Sequence, residues 1–152
     1  MPSHIDPERS MGFALRRLQH VLRSKLDATL APHGLTTPQY LVLALLAEHP
    51  GVSNSELARL SAVTAPTMLR ILDALSLTGL ISRADPSPEL RIRGTELTAS
   101  GERHLAAAAE HVQRFEDLLQ AQAAPEHAGI ILDWLRGCTE RLMEVSRSPE
   151  PP

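Results

Sequence analysis

The chain has 152 residues, 43% of them hydrophobic and only 3% aromatic, with a formal charge of -3. This is long enough for one domain whose core is built from Leu, Ala, Val and Ile, which favours helix-on-helix packing over a sandwich. The charge argues against a protein that coats nucleic acid by bulk attraction, and Cys138 as the sole cysteine excludes an intrachain disulfide.

Cysteine usage fits a reducing cytoplasm, the expected location. Met1 to Ser10 carries Asp6 and Glu8 and lacks an apolar h-region, so it does not read as a signal peptide. Leu41 to Ala47, the longest apolar run near the middle, falls far short of the roughly 18 residues of a membrane span. No membrane partner is expected.

Glu8 to Ala31 reads as a long helix with a stripe of Leu15, Leu18, Leu22, Leu26 and Leu30, stopped by Pro32 and Gly34. Arg16, Arg17, Arg23 and Lys25 lie off the stripe, on a solvated face or close to DNA phosphates or a ligand cleft. A second helix starts with Thr36 and Gln39, or with Thr37 and Pro38, and runs to about His49. It is apolar nearly all round, so it is expected to lie buried between others. Pro50-Gly51 ends it, and Val52 is placed to pair briefly with a ribbon further along.

Ser53 and Glu56 have capping-box spacing, so hydroxyl and carboxylate can both satisfy amides at the start of a helix through about Leu60. After Ser61-Ala62-Val63, Thr64 can cap the next helix, with Pro66 in its first turn. Met68, Ile71, Leu72 and Leu75 give that helix one apolar face, and Thr67, Arg70 and Ala74 lie opposite. Gly79 is placed as a left-handed C′ residue. Leu80 to Arg83 and Glu89 to Leu97 then read as two strands around the Asp85-Pro86-Ser87-Pro88 turn, with Arg91 and Arg93 along one side. Thr98 caps a helix carrying Leu105, Ala108, Val112, Phe115 and Leu119. Pro125 breaks it, and a last helix to about Val145 carries Ile131, Trp134 or Leu135, Cys138, Leu142 and Val145. These stripes exceed what one small reading head can cover, which points to dimerisation. The proline-rich tail, 147–152, is expected to be disordered.

Leu35-Thr36-Thr37-Pro38-Gln39-Tyr40, Ser53-Asn54-Ser55-Glu56-Leu57-Ala58, Leu75 with Gly79-Leu80-Ile81, and Leu97-Thr98-Ala99-Ser100-Gly101 together resemble the MarR family of bacterial transcriptional regulators. The resemblance runs from about Phe13 to about Leu142. It implies a homodimer that places the second helix of a helix-turn-helix in the DNA major groove while a wing reaches the minor groove. Arg91 matches the family's wing arginine, and Glu89 stands where aspartate is more usual. Leu69 replaces a frequent small hydroxyl residue, Leu90 a common arginine, and Ala74 and Thr78 residues that are often basic. The resemblance also implies a small aromatic or phenolic effector, for which His20, Ser24 and Tyr40 are candidate lining residues.

The expected fold is therefore mainly α with a small β-wing, a single domain in which 36–97 form a winged helix-turn-helix. Helices over 8–31 and 98–146 form the dimerisation region. The expected function is repression of transcription from a pseudo-palindromic operator in double-stranded DNA, relieved by the effector. The DNA-binding candidates are Ser53, Asn54, Thr64, Ala65, Thr67, Arg70, Arg91 and Arg93. Small residues at the nose of the recognition helix let the backbone approach the groove, arginines suit a narrow minor groove, and Arg70 can serve a guanine edge or a phosphate. The bland alternative for the arginines is an ion pair, such as Arg70 with Asp73 or Arg91 with Glu89. Neither cofactor nor metal is expected, because the seven histidines show no metal-ligand spacing. No nucleophile elbow or phosphate loop supports an enzyme. The rival reading is a dimeric interaction module that keeps the winged fold and has lost DNA binding.

Overall fold

The computed structural model describes residues 5–83 and 94–145. The first helix starts later than its periodicity predicts. Asp6 caps a short 3-10 turn, Pro7–Arg9, and Ser10 is extended, so its hydroxyl accepts from the Phe13 amide and α1 begins at Met11. Helix α1 spans Met11–Leu30, and Gly34, at φ 68°, reverses the chain after a second 3-10 turn. Its stripe is buried only at the C-terminal end. Leu30 is inaccessible and Leu26 packs on the core, whereas Leu15 and Leu18 are exposed.

Helix α2, Thr37–Glu48, opens with a reciprocal box. The Thr36 hydroxyl accepts from the Gln39 amide and the Gln39 side chain accepts from the Thr36 amide. Val42, Leu43 and Leu46 fill the core, but Leu41 stays exposed, so burial is not all round. Asp27 of α1 ties the two helices together. Its Oδ1 accepts from the Thr37 hydroxyl at 2.6 Å and the Thr37 amide at 3.0 Å, with Arg23 at 3.6 Å from the other oxygen.

Helices α3, Asn54–Leu60, and α4, Ala65–Leu77, follow, then an antiparallel ribbon of β1, Ile81–Arg83, and β2, Thr95–Leu97. Ile81 faces Leu97, Ser82 faces Glu96 and Arg83 faces Thr95. Residues 84–93, including the turn at Asp85 to Pro88, lie outside the described residues. The expected pairing of Val52 with the ribbon falls largely on residues 84–93, outside the described residues. Among the described residues the sheet has two strands, although a Cβ on Gly94 would come within 3.0 Å of the Val52 carbonyl oxygen. The core comprises Leu30, Leu35, Val42, Leu43, Leu46, Leu57, Ala58, Met68, Leu72, Leu75, Leu80, Ile81 and Ala108. It draws on the end of α1, on α2, α3 and α4, on β1 and on Ala108 further along the chain.

Helix α5, Ala99–Gln120, starts as expected from Thr98, whose hydroxyl accepts from the Gly101 amide and donates to the Gly79 carbonyl at 2.7 Å. Helix α6 covers Pro125–Val145, and none of its residues is buried in the single chain. The chain forms two compact units, Met1–Val112 and Gln113–Pro152, with the boundary inside α5. No single helix among the described residues is long and apolar enough to cross a membrane. The tail, 147–152, lies outside the described residues.

A Cβ at Gly101 would sit 2.0 Å from the Leu80 carbonyl oxygen, which is backbone and cannot step aside. Gly101→Ala should therefore cost about 1–3 kcal/mol by overpacking, where an unhindered helix would gain about 0.5–1; urea titration showing a gain would contradict the close approach. The Asp27 carboxyl is held below its usual pKa, chiefly by the Thr37 hydroxyl, then by the Thr37 amide, with Arg23 adding to both. A depressed folded pKa contributes stability above the unfolded value of about 3.9 and loses it as pH falls through the folded value. Asp27→Asn should thus cost about 1 kcal/mol at neutral pH, with the difference from the unmodified protein closing in acid. A difference independent of pH would rule out the charged bond.

Candidate nucleic-acid interface

The axes of α3 and α4 turn through 107° at the break between them, within the range of a helix-turn-helix. Helix α3 ends in a Schellman arrangement: Val63 donates to the Ala58 carbonyl and Ala62 to that of Arg59. Ala62 takes the left-handed position, φ 51°, where glycine is the usual occupant. The tight reversal puts Thr64 at the start of α4. Its hydroxyl accepts from the Thr67 amide, and Pro66 occupies the first turn, where no partner is needed for an amide hydrogen.

Burial of Met68, Leu72 and Leu75, with Ile71 beside them, fixes the rotation of α4. Thr64, Ala65, Pro66, Thr67, Leu69, Arg70, Asp73 and Leu77 are all exposed. Four sequence candidates, Thr64, Ala65, Thr67 and Arg70, are therefore brought together on the outward side of the first two turns. Ser53 and Asn54 are exposed at the start of α3. The Ser53 hydroxyl accepts from the Glu56 amide and meets the Ser55 hydroxyl at 3.0 Å. Asn54 has a second tie, since its Oδ1 accepts from the buried Thr95 hydroxyl at 3.3 Å, joining α3 to the base of the ribbon.

Charge pairing departs from the sequence reading at Glu56 and, at Asp73, removes the ion-pair alternative for Arg70. Glu56 does not complete the capping box. Its carboxylate takes two bonds from Arg59, at 2.6 and 2.8 Å, and these hold its pKa below the usual value. Asp73 does not pair with Arg70 either. It takes the Arg83 guanidinium at 2.5 Å, which clamps β1 to α4 and removes Arg83 from the free positive charge of the reading unit. Among the described residues no carboxylate pairs with Arg70. Arg91 and Arg93, and the alternative pair of Arg91 with Glu89, lie outside the described residues.

The Asp73–Arg83 clamp and the Asn54–Thr95 tie went unseen in the sequence because both cross between segments whose relative register only the folded ribbon sets. The paired charges ten residues apart across Gly79 were the available signal.

An open groove along the N-terminal half of α1 is lined by residues that include Phe13, Arg16, Arg17, Leu18, His20 and Val21. His20 is thus in a groove, Ser24 is exposed about one turn further along the helix, and Tyr40 packs against the core from α2. The rings of His33 and His111 lie 5.3 Å apart. Among the described residues no three His, Cys, Asp or Glu side chains cluster as metal ligands would.

This geometry has close counterparts. A profile described as the MarR family matches residues 35–92. The HTH-type transcriptional repressor Rv2887 of Mycobacterium tuberculosis is 38% identical over 118 residues, covering 76% of this chain and 84% of that protein. Its crystal structure in complex with salicylic acid shares 29% identity at a TM-score of 0.65, covering 85% and 96% of the two chains. The transcriptional repressor CouR bound to a 23-mer DNA duplex gives a TM-score of 0.75 at 29% identity, covering 90% of this chain and 99% of that one. By sequence and by fold, the chain belongs to the MarR family of winged helix-turn-helix transcriptional regulators.

Proposed function

We propose that the protein represses transcription by binding a pseudo-palindromic operator as a homodimer, and that a small aromatic acid releases it. The observation that carries this reading is the outward face of α4, where short residues at the helix nose are followed by an arginine without a carboxylate partner among the described residues. A helix entering the major groove needs that order: close backbone approach first, then a long donor for a guanine edge or a phosphate. Ser53 and Asn54 at the start of α3, and Arg91 and Arg93 beyond β1, are assigned to the flanking backbone and the minor groove. The relatives support the same reading, since Rv2887 is a repressor and CouR has been solved on a DNA duplex.

Dimerisation is assigned to the helices over 8–31 and 98–146, and the reading head to 36–97. In the single chain Phe13, Leu18 and Val21 of α1 are exposed, and so, separately, are Ile131, Trp134 and Leu142 of α6. Apolar rows of this length on soluble proteins mark association surfaces. Two-fold symmetry then sets the half-sites about one helical turn apart.

The effector is assigned to the α1 groove, where Arg16, Arg17 and His20 offer partners for a carboxylate and Phe13 a surface for a ring. Rv2887 binds salicylic acid, and CouR has been solved with p-coumaroyl-CoA at 31% identity and a TM-score of 0.72, covering 90% of this chain and 96% of that one. Such a ligand acts by favouring the dimer whose recognition helices are wrongly spaced for successive grooves. The reading is of a regulator acting in the cytoplasm, with no catalytic step.

Binding of genomic fragments tests the whole reading, and capture of no discrete sequence would contradict it. On a captured operator, Arg70→Ala and Arg91→Ala should each weaken affinity, and for a phosphate contact each should reduce the salt slope by about one. Unchanged affinity in both would remove the arginines from the interface. Salicylate should raise the melting temperature and weaken operator binding, with a smaller shift in His20→Ala. No shift with any hydroxybenzoate or cinnamate would overturn the groove assignment.

A further inference from the structure

The outward face of α4 carries an apolar side chain that the proposed contacts do not use. Leu69 is 46% exposed in the second turn, four residues after Ala65 and next to Arg70, so Ala65 and Leu69 stand one above the other on the same side of the helix. Scattered exposed leucines are ordinary on protein surfaces. Position distinguishes this one. Leu77, more exposed at 89%, is the last residue of α4, whereas recognition helices meet base edges with their N-terminal turns.

Part of the polar capacity on this face is already used. The Thr64 and Thr67 hydroxyls lie 2.9 Å apart and bond to each other, and the Thr64 oxygen also takes the Thr67 amide. Asp73 is held by Arg83. Besides these hydroxyls and the Arg70 guanidinium, the first two turns expose Ala65, Pro66 and Leu69, and Leu69 is the longest open-chain aliphatic group among them. In the major groove only thymine presents an aliphatic group, its 5-methyl. Against the cytosine amine or a purine N7, a leucine would strip water without returning a hydrogen bond.

We infer that Leu69, backed by Ala65, is a specificity-determining residue that selects thymine in each half-site by contact with its 5-methyl group, at a position neighbouring the base or phosphate taken by Arg70. The inference rests on the repressor reading above and adds the base that the helix prefers. Negative selection against cytosine is part of it, since the same side chain that gains from the methyl penalises the exposed amine.

The test uses the full chain and duplexes selected from a random pool. Each thymidine of the winning half-site is replaced in turn by deoxyuridine, which keeps every pairing and groove hydrogen-bonding group and deletes one methyl. At one thymine per half-site, the replacement should weaken binding by the unmodified protein about 4-fold, the value of one buried carbon. Leu69→Ala, which removes an exposed side chain and should fold normally, should bind the thymine and uracil duplexes equally. Tolerance of uracil at every position by the unmodified protein would overturn the inference. So would half-sites without thymine, or a Leu69→Ala protein that keeps the thymine preference. Failure to select any duplex would be a different result, refuting the repressor reading and this inference with it.

Discussion

Burial of one stripe of α4 is the constraint from which the arrangement follows. Met68, Leu72 and Leu75 are each essentially inaccessible, and each is worth about 1.5–3 kcal/mol when removed from water. Turning the helix by even a third of a revolution would bring these side chains to the surface and put Thr67 or Arg70 into the core, with an unpaid desolvation cost on top. The helix therefore has one rotational setting. Its outward face is decided from the inside, by packing against α2, α3 and β1.

Around that stripe, polar contacts fix what packing leaves free. The Asp73–Arg83 pair holds the first ribbon strand to the outer side of α4, and the Asn54–Thr95 bond holds the second strand to the nose of α3. Exposed ion pairs are worth little as stability, so the value of Asp73–Arg83 lies in registering the ribbon against the helix. At the far end of α4, the Gly79 carbonyl accepts from the Thr98 hydroxyl and the Leu80 carbonyl from the Thr98 amide. Gly101 lets the backbone of α5 come down onto Leu80. The end of the recognition helix and the beginning of α5 are consequently one mechanical piece, which is what a regulator needs if events elsewhere are to reposition its reading face.

Much of this was legible in the residues, because local rules agreed with one another. Ser53, Thr64 and Thr98 cap helices as their types and spacings require, Gly34 and Gly79 take left-handed turns, and the apolar periodicity of α4 names its buried face correctly. The misreadings have a common origin in competition between partners. Ser10 captured the start of α1 from Glu8, and Arg59 drew Glu56 away from its capping role. A sequence shows which groups can pair, but distances set by the tertiary fold choose among them. The same limit applies to Leu15 and Leu18, whose periodicity implies burial although the single chain leaves them exposed, the surface assigned to the dimer.

The central claim is that two copies of the α4 face present themselves to one side of a DNA duplex. Hydroxyl-radical footprinting of the captured operator measures this directly. The account predicts two patches of protection related by two-fold symmetry, their centres about 10 base pairs apart on the same side of the helix. A single unsymmetric patch, or uniform protection along the duplex, would contradict it.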